Sequence, residues 1–170
     1  MPLRLVGINS DGTIWLTRRR SETQPWDPWA NLTSVIGPIG APTDVACAIV
    51  NGELHICVLE PNALWHTVET GPGAFTGWLP AHSVAFSGVS TGGRVDCAAI
   101  GSQLHVCVEG TKRTGALVSN PVVWRSIRNP SGAWSTPREV TLRYLAIRDV
   151  ACASITPSGP GARPQLEILT

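Results

Sequence analysis

The chain has 170 residues, with 13 Lys and Arg against 12 Asp and Glu and a formal net charge of +1. Its only basic run, Arg18-Arg19-Arg20, is too small for the concentrated basic surface that nucleic acid or an acidic membrane needs. No apolar run approaches the roughly 18 residues of a membrane-spanning helix, and residues 1–10 lack the charged start and long apolar stretch of a signal peptide. The expectation is a soluble chain of unknown location.

With 17 glycines, 14 prolines and one methionine, the chain suits many short strands joined by tight turns. Seven Trp against two Phe and one Tyr is a bias that needs a specific cause. A repeat supplies one. Four strand types, A to D, recur in order.

The chain opens in mid-unit. Leu3 to Trp15 resembles Leu54 to Trp65, so the first strand is of type B. A C-type strand follows at Ile14-Trp15-Leu16-Thr17, and Trp29 with Val35 marks a D-type strand. The second unit starts with the A-type strand Val45-Ala46-Cys47-Ala48-Ile49. Asn51-Gly52, a two-residue hairpin signal, leads into the B-type strand Glu53-Leu54-His55-Ile56-Cys57-Val58. Leu64-Trp65-His66-Thr67 is C, and Trp78 with Val84 marks D.

The third unit repeats this order. Val95-Asp96-Cys97-Ala98-Ala99 is A, Gly101-Ser102 the turn, and Gln103-Leu104-His105-Val106-Cys107-Val108 is B. Val123-Trp124-Arg125-Ser126 is C, and Trp134 with Val140 marks D. Val150-Ala151-Cys152-Ala153-Ser154 and Gln165–Leu169 are then a closing A and B. The A-type cysteines are 50 and 55 residues apart. The expected organisation is one domain, 1–170: a partial first unit at 3–43, units at 44–93 and 94–148, and closing strands at 149–170.

A four-stranded unit of about 50 residues has the size of a β-propeller blade, and propellers close with about four to eight blades. The fold class expected is therefore all-β, a partial propeller of about three units. Three blades leave two apolar end faces, which should associate. The simplest closure is a homodimer forming a six-bladed ring, with one B-type strand surplus at each junction. The alternative is an open arc or a piece of a longer propeller.

The segments Asp-Val-Ala-Cys-Ala, Leu-His-Ile-Cys-Val, Leu-Trp-His-Thr and Asn-Pro-Ser-Gly-Ala-Trp, within 44–69, 94–108, 123–140 and 149–152, resemble the bacterial seven-bladed propeller lectins of the Photorhabdus type, and more loosely the Psathyrella lectin. The resemblance implies a lectin binding glycans, fucosylated or O-methylated ones among them, between neighbouring blades. The chain departs from that pattern in having about three repeats and an insertion at 109–122.

Trp is the residue expected to carry sugar binding, because an indole face stacks on the apolar C–H side of a pyranose. The candidates are Trp29, Trp78 and Trp134 near the outer end of each unit, then Trp65 and Trp124 on the C-type strands, with Arg128 to hydrogen-bond hydroxyls. The competing role for each Trp is packing within the unit. Arg19, Glu69 and Arg128 share one repeat position, and Asp44, Arg94 and Asp149 another, with charges that differ between copies.

His55 and Cys57 lie on one strand face, but a zinc site needs two further ligands, so no metal and no cofactor is expected. The five cysteines are read as free, buried thiols. A two-residue turn at Asn51-Gly52 would set Cys47 on the face opposite Cys57, whereas a bulged or three-residue turn would pair the two, so the sequence leaves disulfides Cys47–Cys57 and Cys97–Cys107 open. The chain lacks the Gly-x-Ser-x-Gly, HExxH and phosphate-loop motifs. The reading is a non-catalytic lectin. A structural or protein-interaction module is the alternative, and a glycan-active enzyme comes third.

Overall fold

A computed structural model describes residues 3–61, 63–81, 86, 90–113, 119–140, 149–155 and 165–169. Val84 and part of the 109–122 insertion lie outside the described residues. The protein is all-β, built of several antiparallel sheets, none of them closed.

The first sheet holds β1 (Leu3–Ile8), β2 (Ile14–Arg19) and β3 (Ala30–Asn31), followed by a short helix α1 (Leu32–Ile36). The second holds β4 (Asp44–Val50), β5 (Glu53–Glu60) and β6 (Ala63–Gly71), with β7 (Ala74–Phe75) and β8 (Leu79–Pro80) both paired to β6. The third holds β9 (Ser90–Ile100), β10 (Gln103–Arg113), β11 (Ser119–Arg128) and β12 (Arg138–Val140). The fourth is the hairpin of β13 (Ala151–Ile155) and β14 (Gln165–Leu169). Among the described residues no helix is long and apolar enough to cross a membrane.

The three larger sheets share internal detail. Thr17, Thr67 and Ser126 sit two residues after the C-type Trp and are buried to 3%, 0% and 0% exposure. Each hydroxyl is tied to the chain that follows: Thr17 donates to the Asp27 carbonyl at 2.6 Å, Ser126 to the Ser135 carbonyl at 2.8 Å, and Thr67 pairs with the Thr76 hydroxyl at 3.3 Å. Next to these, the amides of Asp27, Thr76 and Ser135 donate to the carbonyls of Arg18, Val68 and Ile127. A buried hydroxyl must find a partner, so the small polar residue fixes where the D-type segment returns.

Those segments form little regular strand. β3, β7 and β8 have two residues each and β12 three. Prolines crowd them, at Pro25, Pro28, Pro72, Pro80, Pro130 and Pro137, and proline cannot donate to a ladder. Trp29 and Trp78 therefore stand immediately before their short strands, and Trp134 makes only an isolated bridge to Arg128.

At the β4–β5 turn Asn51 (φ +52°) and Gly52 (φ +88°) both take the left-handed conformation that a tight hairpin requires. The resulting register pairs Ala46 with Cys57 and Cys47 with Ile56. Cys47 and Cys57 thus face opposite sides of the sheet, and all five cysteines are free thiols.

The sheets stack face to face in chain order, with a buried cluster in each of three seams. The first seam joins Ile14, Leu16 and Leu32 to Leu54, Ile56 and Val58. The second joins Cys57, Leu59 and Leu64 to Val95, Cys97 and Val106. The third joins Cys107 and Val123 to Val150, with Cys152, Leu166 and Ile168 packed against them. Each fully buried Leu, Ile or Val contributes roughly 1.5–3 kcal/mol.

Successive sheets approach most closely along their A-type strands, β4 on β9 and β9 on β13, and splay apart toward the D-type segments. Side-chain size follows that taper. Ala46, Cys47, Ala48, Cys97, Ala98, Ala99, Ala151, Cys152 and Ala153 occupy the close edge. Leu, Ile and Val dominate β5 and β10, and Trp appears where the gap is widest. Interiors must be filled without voids, and the order of small, medium and large residues does that in the second seam, from Ala46, Ala48, Cys97 and Ala99 to Trp124 and Trp134.

Candidate functional site

The six candidate residues do not converge on one place. They fall into equivalent seam positions. In the first seam Trp65 and Trp78 are half-buried against the cluster of the first two sheets. The Trp65 indole N–H donates to Glu60 Oε2 at 2.6 Å, and that of Trp78 crosses the seam to the Gly37 carbonyl at 2.9 Å. Gly37 ends α1 in a left-handed conformation, φ +103°, so this bond ties the helix terminus to the next sheet.

In the second seam Trp124 and Trp134 occupy the same two positions. Trp134 stands edge-on to His66, with ring centroids 5.6 Å apart. His66 in turn faces His55, Nε2 to Nδ1 at 3.0 Å. Burial pushes the His55 ring down to about 4, with the Arg128 charge adding to it. Burial also takes His66 down to about 3, helped by His55 and Arg128. Both rings are neutral at physiological pH, and one donates to the other. Arg128 therefore lies at this seam as the charge the two histidines feel, with its guanidinium beside Gly132. The Trp124 indole N–H is buried without a hydrogen-bond partner among the described residues.

In the first sheet the equivalent Trp pair is open among the described residues. Trp29 is 52% exposed, and with Trp15, Gly7, Ile8 and Asn9 it lines a cleft of about 380 Å³. The Trp15 indole N–H donates to Thr13 Oγ1 at 2.7 Å. Asn9 Oδ1 accepts from the Ser10 amide at 2.8 Å. Leu3 and Leu5, 46% and 47% exposed, continue the same face. Trp26 is 39% exposed and stands apart from this set.

A second, polar cleft of about 260 Å³ lies between the first and second sheets, lined by Arg4, Arg18, Glu53, Glu69 and Thr70 among others. Arg18 and Glu69 form an ion pair across it, and Glu69 Oε1 also accepts the Gly73 amide at 3.0 Å. Arg4 and Arg18 were not among the sequence candidates. Their signal was available only through strand pairing: Arg4 lies opposite Arg18 on β1 and β2, a juxtaposition that no spacing rule reveals.

Two of the acids, Asp44 and Asp96, are engaged in the fold. Asp44 accepts the Val45 amide and, across the second seam, the Val95 amide at 2.9 Å. Asp96 accepts the Cys97 amide at 2.8 Å and the Cys152 amide across the third seam. Burial raises the Asp96 carboxyl above its ordinary range, and the two amide bonds oppose that rise.

His105 is 6% exposed, and neither ring nitrogen has a partner among the described residues. Burial and Arg125 lower its affinity for a proton. Among the described residues no three His, Cys, Asp or Glu side chains converge to hold a metal. Asn31 of the Asn31-Leu32-Thr33 sequon caps α1 through a bond from the Ser34 amide. No protein-family model matches the chain, and no curated protein matches it.

Proposed function

We propose that the chain is a non-catalytic carbohydrate-binding module, a run of propeller-type blades that takes a sugar on its open Trp15–Trp29 face. The observation that carries this reading is the exposure of Trp29 beside Trp15, in a cleft of about 380 Å³ with Asn9 at its rim. An exposed indole face stacks on the C–H side of a pyranose, and a small number of polar groups orient it. The methyl group of a 6-deoxy sugar such as fucose, or of an O-methyl sugar, suits a lining of Trp, Ile and Gly. The resemblance of the repeat to propeller lectins supports the same reading, as does the taper of side-chain size across the second seam.

On this reading Trp65, Trp78, Trp124 and Trp134 are seam-filling residues, Arg128 tunes the buried histidines, and Trp29 is the sugar ligand. Asp44 and Asp96, which lie near one another, are bound to backbone amides and do not flank an open cleft as a glycosidase pair must.

The test is a glycan array of the whole chain alongside Trp29→Ala and Trp78→Ala. Trp29→Ala is expected to abolish binding while leaving the far-ultraviolet spectrum unchanged. Glycan binding that survives Trp29→Ala would overturn the assignment.

One observation favours a second reading. Trp78 and Trp134, the repeat equivalents of Trp29, are covered by the preceding sheet. The open face then receives a further blade, from a second chain in a six-bladed ring or from a longer protein. Light scattering separates the two. A mass near twice 18.1 kDa that falls to the monomer in Trp29→Ala, with no glycan bound, establishes the second reading.

A further inference from the structure

The cysteines of the repeat meet across seams, not within hairpins. Cys57 on β5 and Cys97 on β9 are 0% and 5% exposed and belong to the same buried cluster. They face each other from adjacent sheets, and the Cys57 thiol is near enough to help hold the proton on Cys97. One seam further on, Cys107 on β10 and Cys152 on β13 repeat the arrangement, packed in one cluster, and Cys107 is near enough to help hold the proton on Cys152. In the first seam the position of Cys57 is taken by Val6, which packs in one cluster with Cys47. The chain therefore carries two equivalent thiol pairs and one thiol whose seam partner is a valine.

We propose that Cys57–Cys97 and Cys107–Cys152 are two redox-closable staples that join successive sheets covalently by exchange with a low-molecular-weight disulfide. In each pair one thiolate attacks the reagent disulfide, whose S–S bond breaks and releases one reagent thiol. The partner thiol then loses its proton and attacks the protein-bound sulfur of the mixed disulfide. The second reagent thiol leaves. The net change removes two protons and two electrons from the protein pair and reduces one reagent disulfide to two thiols. Each staple joins a B-type strand to the A-type strand of the next sheet, so closure stops the sheets from parting.

Access sets the order. Cys107 and Cys97 are buried, whereas Cys152 is partly exposed at the outer, two-stranded sheet. The neighbouring thiol and burial keep the Cys97 proton in place, and the same causes act on Cys152. Exchange proceeds through the thiolate, so both pairs react slowly in the closed stack. The Cys107–Cys152 pair, with one residue partly exposed, closes first.

The test uses the full chain with glutathione disulfide, followed by alkylation in denaturant and peptide mapping by mass spectrometry. Cleavage after Glu53 separates Cys47 from Cys57, and cleavage after Leu104 separates Cys97 from Cys107. The expected products link 57 to 97 and 107 to 152, with Cys47 alkylated and the chain monomeric in mass under denaturing conditions. The melting temperature is expected to rise by roughly 5–15 °C and to return on addition of dithiothreitol. In Cys57→Val, which copies Val6, Cys97 should become alkylated while 107–152 still forms. Five alkylated or glutathionylated cysteines after oxidation, or links 47–57 or 97–107, would overturn the proposal. The wild-type map decides the matter even if Cys57→Val does not fold.

Discussion

The indole of Trp134 stands edge-on to the imidazole of His66 across the second seam, with 5.6 Å between ring centroids. Trp134 belongs to the third sheet's returning segment and His66 to β6 of the second, so the contact seals the wide end of the gap between them. The same Trp position is bonded across the first seam through Trp78 and is uncovered in Trp29. One repeated residue thus has two environments, covered at Trp78 and Trp134 and exposed at Trp29.

That difference should appear in stability. Trp134→Ala leaves a void over His66 and should cost about 2–4 kcal/mol, read from urea unfolding midpoints at constant m-value. Trp29→Ala, at a position already 52% exposed, should cost under about 0.5 kcal/mol. The same Trp134→Ala variant should raise the His66 pKa from about 3 toward its ordinary value as water enters, observed by NMR titration of the imidazole protons. Equal losses in the two Trp variants would remove the seam argument.

Acid should unfold the protein through its histidines. A ring whose pKa is depressed by folding resists protonation in the native state and accepts it in the unfolded one. The stability it contributes is present above the unfolded value near 6.5 and is lost as pH falls toward about 4 for His55 and about 3 for His66. The expected loss is about 2–3 kcal/mol for each ring between pH 7 and pH 4, measured as unfolding free energy against pH. Asp96 acts in the opposite sense: its raised pKa favours the native state in acid, and that contribution declines as pH rises from its unfolded value of 3.8. His55→Gln with His66→Gln should flatten the profile between pH 6.5 and 4.

Asp96 bonds two A-type strands at once, through the Cys97 and Cys152 amides. Asp96→Ala strips both amides of their acceptor at a close-packed edge and should cost about 1–3 kcal/mol. Hydrogen exchange provides a local readout, with faster exchange expected at Cys97 and Cys152 than at Cys57. Unchanged protection at Cys152 would count against the seam bond.

The β4–β5 hairpin depends on backbone conformation. Gly52→Ala forces a β-carbon into φ +88° and should cost about 1–2 kcal/mol in thermal unfolding. No side chain crowds the site, so the whole effect is conformational. Asn51→Gly, which removes the strain at φ +52°, should be close to neutral.

Much of the fold is legible in the sequence because it is repeated. Tight hairpins read as Asn51-Gly52 and Gly101-Ser102, alternating apolar residues on β5 and β10, and a Trp followed two residues on by a buried hydroxyl are local patterns with local causes. The opposite facing of Cys47 and Cys57 was legible only as one of two outcomes, which the two-residue turn at Asn51-Gly52 decides. The candidate site was less legible. Whether a given Trp packs or faces water depends on what covers it, and that is a property of the neighbouring sheet.

The amino-acid order by itself determined the A-, B- and C-type strands and their sequence along the chain, since those follow from turn signals and a two-residue period, while the D-type segments proved to be mostly irregular. Only the tertiary structure decided which faces meet. The stacking brings Cys57 to Cys97 and Cys107 to Cys152, hides the histidines beneath Trp134, and leaves Trp15 and Trp29 open. The physical reason is that local patterning fixes a residue's direction, while its burial, charge state and partners come from atoms some 40 to 50 positions away, brought close only when the sheets pack.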